Sequence, residues 1–126
     1  MIGRRANLIE KADKAMQIDD LVIDIEQHIE IKAPIGDVWK TVLHRISEGM
    51  AGGDGKSMQM HLEPWAGGRW YRDRGEGIGH LWGFVQTIKP PVLIELTGPM
   101  FMSAPVLNYI EFKLTPAAVG VDLQLR

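Results

Sequence analysis

Four histidines, the residues most often used as general bases and metal ligands, occur in this 126-residue chain. They are His28, His44, His61 and His80. No two stand four residues apart, and none belongs to a His and carboxylate motif of the kind that binds zinc. The serines have no elbow-type glycine context that would mark a nucleophile. From spacing alone we therefore predict no metal site, no cofactor and no catalytic residue.

Two glycine-rich stretches invite comparison with phosphate-binding loops. Gly55-Lys56-Ser57 matches the end of such a loop, but Met50 occupies the position of its first glycine. The residues after Ser57 alternate like a strand, so no helix N-terminus is offered to a phosphate. The stretch from Gly75 to Gly79 also lacks the dinucleotide-binding spacing and predicts a hairpin loop.

Composition excludes several function classes. The absence of cysteine excludes disulfides, thiolate metal sites and a cysteine nucleophile. A net charge of −2 gives no general attraction to nucleic acid or anionic lipid. No apolar run has the length of a signal peptide or a membrane span. We expect one cytoplasmic domain that neither binds nucleic acid nor inserts into a membrane.

The strongest chemical signal is an aromatic, glycine-rich stretch from Glu63 to Pro91, which holds three of the four tryptophans. Glycines that permit tight turns and prolines that end pairing predict a strongly curved antiparallel meander. If its central strand alternates from Gly79, then His80, Trp82, Phe84 and Gln86 share one face. Which face points inward stays open.

The rest of the chain supplies the elements that position this stretch. Residues 1–20 predict an N-terminal helix or arm, and a domain follows over residues 21–126. A helix should run from Pro34 to about Leu43, with Val38, Trp39 and Val42 as its packing stripe, and Gly49 to Lys56 should be a mobile loop. The predicted strands are Leu21 to Lys32, Met58 to Glu63, Arg69 to Arg74, Gly79 to Ile88, Val92 to Thr97, Val106 to Leu114 and Val119 to Leu125.

Four stretches in this order carry a resemblance to a known superfamily. They are Ile29-Glu30-Ile31-Lys32-Ala33-Pro34 with Asp37-Val38-Trp39, then Trp65-Ala66-Gly67-Gly68-Arg69-Trp70, then Gly83-Phe84-Val85-Gln86-Thr87-Ile88-Lys89-Pro90-Pro91, and Ile110-Glu111-Phe112-Lys113-Leu114-Thr115-Pro116. The chain resembles the START-like (SRPBCC) superfamily with the Bet v 1-like, helix-grip fold, and within it the AHSA1-like branch, related to the C-terminal domain of the Hsp90 ATPase activator. The resemblance implies an α+β fold: a curved seven-strand antiparallel sheet with a helical segment after strand 1.

The sequence departs from the family at its C-terminus. The family's long closing helix, which lies over the concave sheet face, has no counterpart before Arg126. An uncovered row of Ile110, Phe112, Val121 and Leu123 would be a large apolar patch of the kind that monomers avoid. A truncated chain, a partner subunit and the N-terminal helix are the three open explanations. We expect self-association over the concave face.

The resemblance implies a hydrophobic cavity that holds a small apolar or amphipathic molecule. The cavity candidates are Met60, Trp70, Arg72, His80, Trp82, Phe84, Asn108, Ile110 and Phe112. Met100 and Met102 are further apolar residues that favour a ligand of this kind. The alternative is that the apolar members simply fill a core, and that Arg72 lies at a solvated strand end. Two other functions stay open: a cyclase or hydrolase using His61, His80, Arg72 or Tyr109, and an interaction module acting on a chaperone ATPase.

Overall fold

The structure, a computed structural model, describes residues 25–126. The predicted N-terminal helix or arm, residues 1–20, lies outside these residues. The described chain contains one helix, α1 (Ile35–Arg45), and seven strands. The strands are β1 (Gln27–Ile31), β2 (Met60–Leu62), β3 (Arg69–Gly75), β4 (Ile78–Lys89), β5 (Leu93–Gly98), β6 (Asn108–Ala117) and β7 (Gly120–Leu125). All pair antiparallel in one sheet with the order β1-β7-β6-β5-β4-β3-β2.

Helix α1 begins after Pro34, whose fixed φ and missing N–H suit the first turn of a helix. Asp37 stands in the first turn, where a carboxylate complements the helix dipole. The predicted stripe of Val38, Trp39 and Val42 is confirmed, since all three side chains are buried. Helix α1 therefore lies against the concave face of the sheet with one apolar stripe.

The prediction that His80, Trp82, Phe84 and Gln86 share one face is wrong. Two breaks in register interrupt β4, one beside Trp82 and one beside Gln86, so side-chain alternation is reset twice. Trp82 is buried on the concave face, whereas Phe84 pairs with Thr97 on the convex face and is 45% exposed. Gln86 is exposed as well.

Strand β1, predicted from Leu21, begins at Gln27, and Ile25 and Glu26 lie outside it. Two further predicted strand starts shift for local reasons. Strand β6 begins at Asn108, opposite Gly98, and not at Val106. The residue after Gly98 is Pro99, which has no N–H with which to extend the ladder. Strand β2 begins at Met60 because Gln59 adopts a left-handed φ of 54°.

The concave face has two parts that differ in cover. We call the surface of β2 to β5 the filled half, because Met60, Trp70, Val85, Ile94 and Leu96 are buried there. Val121 on β7, which was expected in the uncovered row, is buried. We call the surface formed by β1, the rest of β7 and the first part of β6 the open half, because its apolar side chains are half-buried or exposed. They are Ile29, Ile110, Phe112, Leu123 and Leu125. The architecture is the predicted α+β helix-grip fold, a curled seven-strand sheet with a helix after its first strand.

Candidate functional site

A hollow of about 260 Å³ lies between α1 and the open half. Its lining is mostly apolar, with side chains from β1, α1, β6 and β7. The apolar residues are Ile31, Ala33, Val38, Val42, Ile46, Phe112 and Leu123. The hollow exists because α1 covers the open half only along the Val38 and Val42 stripe, while Phe112 and Leu123 stay half-buried. An apolar space of this kind favours an apolar occupant over water.

Three polar side chains of α1 border the same hollow. Asp37, Thr41 and Arg45 are spaced by four residues, so they form one stripe along the helix. The Thr41 hydroxyl donates to the Asp37 carbonyl at 2.9 Å, so its oxygen can still accept a hydrogen bond. A molecule in the hollow would therefore meet an apolar floor and a polar rim, as an amphipathic ligand requires. The sequence analysis identified only the apolar stripe of α1. It missed the polar rim, which the four-residue spacing of Asp37, Thr41 and Arg45 could have indicated.

The structure separates the predicted cavity residues into several groups. The filled half contains three of them as buried core residues: Met60, Trp70 and Trp82. Ile110 and Phe112 are half-buried on the open half, and Phe112 lines the hollow.

The polar candidates and Phe84 lie away from that hollow. Arg72 and His80 face each other across β3 and β4, both half-buried. Asn108 donates its side-chain N–H to the Pro99 carbonyl at 3.3 Å. Phe84 lies on the convex face, so the β-bulges that reset β4 remove it from the concave set. Of the two methionines, Met100 is buried and Met102 is 41% exposed.

The residues considered for cyclase or hydrolase chemistry are divided between the two faces. The His61 ring stacks on Tyr71 at 5.3 Å between ring centroids, and His61 alternates with the buried Met60, so it lies on the convex side. Tyr109 pairs with Thr97 on the same side. Arg72 and His80 lie on the concave side. The four side chains therefore do not meet at one site.

Tyr109 belongs to a polar cluster on the convex face. Its hydroxyl faces carboxylate oxygens of both Glu95 and Glu111, the latter at 3.0 Å. Burial, followed by these hydrogen bonds, raises the pKa of Tyr109 above its ordinary value. The phenol therefore stays protonated at neutral pH and serves as a donor that holds β5 and β6 together.

Within residues 25–126, no group of three or more His, Cys, Asp or Glu side chains is arranged to hold a metal ion. In the same part of the chain, no helix has the length and apolar character that a membrane span requires.

The chain is similar to several solved structures. No family model matches the chain, and no curated protein matches it by sequence. Protein MLL2253 from Mesorhizobium loti is 20% identical with a TM-score of 0.59, over 80% of this chain and 72% of that one. Protein NE0264 from Nitrosomonas europaea is 15% identical with a TM-score of 0.59, over 82% and 76%.

DynU16, a protein of the dynemicin biosynthetic locus, is 17% identical with a TM-score of 0.55, and the match covers 80% of this chain but 35% of DynU16. At these identities the likeness concerns the fold. The chain therefore shares a helix-grip fold with these proteins of low sequence identity.

Proposed function

We propose that this protein binds a small hydrophobic or amphipathic molecule in the hollow between α1 and the open half. The observation that carries the proposal is the apolar hollow of about 260 Å³ beside a polar stripe on α1. An apolar protein cavity of about 150 Å³ already binds benzene, so this volume suits a compact apolar group. The Asp37, Thr41 and Arg45 stripe would contact the polar end of the ligand.

The energy of binding would come mainly from covering apolar surface that the described chain leaves open. Ile29 is 57% exposed and Leu125 is 37% exposed, and both adjoin the half-buried Leu123 and Phe112 through the ladders of β1, β7 and β6. Burial of apolar surface contributes about 25 cal/mol per Å². A ligand that reaches these side chains would gain more than one confined to the hollow.

Titration with decanol, a neutral amphiphile, tests the proposal directly. We expect calorimetry to show saturable binding, and native mass spectrometry after addition of a lipid extract to show a bound small molecule. Phe112→Trp enlarges a side chain that lines the hollow and should weaken decanol binding at least about tenfold, a change of about 1.4 kcal/mol. Phe84→Trp makes the same chemical change on the convex face and should leave binding unchanged. Equal effects of the two variants, or no saturable binding to the wild type, would overturn the proposal.

A second copy of the chain is the competing occupant of the open half. Self-association over this face would bury the same side chains, including Ile29 and Leu125. Light scattering distinguishes the two occupants, because a ligand-binding monomer has the mass of one protomer at all concentrations. A dimer that dissociates when decanol is added would show that both compete for one surface.

Membership of the AHSA1-like branch is a finer part of the same proposal. It is supported by the stretch from Trp65 to Trp70 and by the stretch from Gly83 to Pro91. The competing function in that branch is action on a chaperone ATPase through the protein surface. Stimulated ATP turnover in a mixing assay, unchanged in Phe112→Trp, would favour that function over ligand binding.

A further inference from the structure

Two buried hydrogen-bond donors on the concave face have no acceptor in residues 25–126. They are the Trp82 indole Nε1 and the Arg72 Nε. Trp82 is 8% exposed, so its indole is more than nine-tenths buried. The neighbouring Trp70 shows the ordinary arrangement, since its Nε1 donates to the Ile46 carbonyl at 2.6 Å. Leaving a buried donor unpaired is destabilising, and more so when the group is charged.

The two donors belong to one small region. Arg72 on β3 pairs with His80 on β4, and Trp82 follows His80 by two residues on the same strand. Diagonal positions of this kind lie about 7–8 Å apart between Cα atoms, within reach of long side chains. The Trp70 ring packs edge-on against Trp82 at 5.3 Å between centroids, so an aromatic wall adjoins both donors.

The charge of this region is uncompensated within the described residues. Arg72 forms no salt bridge there. The nearest acid along β3, Asp73, is exposed and accepts from the Gly75 amide, and Glu95 faces Tyr109 on the convex side. His80 can add another donor and no negative charge. A guanidinium and an indole N–H without a carboxylate favour an acceptor that brings its own negative charge.

One exposed aromatic ring covers the region. The Phe101 ring lies edge-on to Trp82 at 6.3 Å between centroids and is 72% exposed. It belongs to the connection from Pro99 to Leu107, which contains no charged residue. Its neighbour Met100 is buried and donates its amide to the Trp82 carbonyl at 2.8 Å, so the base of the loop is fixed. The exposed Phe101 side chain can therefore move away from Trp82 while the base of the loop stays in place.

We propose that Arg72 and Trp82 form a binding site for a small aromatic carboxylic acid. The carboxylate accepts hydrogen bonds from the Arg72 guanidinium and the Trp82 Nε1, and the aromatic ring of the acid takes the place of Phe101 against Trp82. Neither Arg72 nor Trp82 lines the apolar hollow, so this site does not depend on the binding proposed there.

Phenylacetate is the probe, and methyl phenylacetate is its neutral counterpart. We expect phenylacetate to bind saturably and to shift the indole N–H resonance of Trp82 downfield, as a new hydrogen bond does, while the ester leaves that resonance unmoved. Arg72→Met should weaken phenylacetate binding about 10- to 100-fold, since hydrogen bonds to charged groups contribute about 1.5–3 kcal/mol. Arg72→Lys should retain part of the affinity because it keeps the charge.

Two aromatic variants complete the test without removing a buried side chain. Phe101→Ala should strengthen phenylacetate binding, because no ring must be displaced, whereas Phe84→Ala on the convex face should leave it unchanged. Equal binding of acid and ester, or a Trp82 resonance that does not move at saturation, would overturn the proposal. An indole N–H that shows a long-lived water contact and no response to phenylacetate would also overturn it. Phe112→Trp should not affect phenylacetate, so failure here is distinguishable from failure of decanol binding in the hollow.

Discussion

The two halves of the concave face are built from the same kind of strand and differ in what lies above them. In the filled half Ile94 and Leu96 are 0% exposed and Met60 is 1% exposed. In the open half Ile29 is 57% exposed and Leu125 is 37% exposed. Strand alternation places all five side chains on one face, so burial is decided by the cover and not by the strand pattern. Apolar side chains that no residue of 25–126 covers form the part of this face available to a ligand or a partner.

The largest expected effect is a difference in the free energy of unfolding between variants of the two halves. Met60→Ala removes a fully buried side chain and should lower the free energy of unfolding by about 2–5 kcal/mol. Ile29→Ala removes an exposed side chain from the open half and should cost less than about 1 kcal/mol. Urea unfolding curves of both variants measure the difference. Similar costs would show that the open half is covered in solution.

Close approach of strands is a second reason why the filled half is dense. Gly98 has a φ of 154°, and a Cβ added there would lie 2.4 Å from the Gly83 Cα. Gly98→Ala should therefore cost at least about 1–3 kcal/mol through backbone strain. Gly53→Ala is the matched control, because a Cβ at Gly53 meets nothing within 4 Å. Unfolding experiments that give equal stability for the two variants would contradict the close approach of β4 and β5.

The edge of the sheet beside the filled half should lose stability in acid. Arg69 donates from Nε and Nη2 to the two carboxylate oxygens of Glu63, at 2.7 and 2.9 Å, and lowers the pKa of Glu63 to about 2. The folded-state pKa is depressed, so this stabilisation is present above pH about 4.5 and is lost as the pH falls toward 2. The difference in melting temperature between wild type and Glu63→Gln should shrink over that window. Arg69→Gln should give the same profile, and a difference that stays constant to pH 2 would be inconsistent with the ion pair.

The edge beside the open half should respond in the opposite direction, with the smallest effect. His28 on β1 contacts the Glu26 carboxylate at 2.7 Å and Asp122 at 3.5 Å, and these acids, Glu26 foremost, raise the pKa of His28 above 6.5. Because the folded-state pKa is raised, the stabilisation is complete below pH 6.5 and is lost as the pH rises through the folded-state pKa. His28→Gln should therefore be less stable than wild type in mild acid and equally stable in alkali. A gap in melting temperature that widens with pH would contradict the assignment.

Most of the fold could be predicted from local patterns. Period-two alternation identified β1, β2, β6 and β7, and the turn residues between them identified β3, β4 and β5. Pro34 with the Val38, Trp39 and Val42 stripe identified α1. The errors fall where one residue changes the geometry. Pro99 delays the start of β6, and Gln59 in a left-handed conformation shortens β2. The alternation of apolar and polar residues does not reveal such single-residue effects on where a strand begins.

The candidate site was less predictable, for a different physical reason. Alternation placed Phe112 and Ile110 correctly on the concave face. It placed Phe84 on the wrong face, because the bulge beside Trp82 reverses the alternation that follows it. A bulge adds one residue to one strand, and which strand takes it depends on pairing across the sheet. The distinction between lining and filling is also tertiary. Trp70 and Phe112 carry the same strand signal, yet Trp70 is buried in the filled half and Phe112 lines the hollow beside α1.

The most direct test of the difference between the two halves is a methyl-resolved NMR titration of the wild-type protein with decanol. We predict that the methyl resonances of Leu123, Val42 and Ile31, which line the hollow, shift together and saturate. Those of Ile94 and Leu96 in the filled half should move little. Shifts confined to the convex face, or no saturating shift at Leu123, would contradict a ligand-binding hollow in the open half.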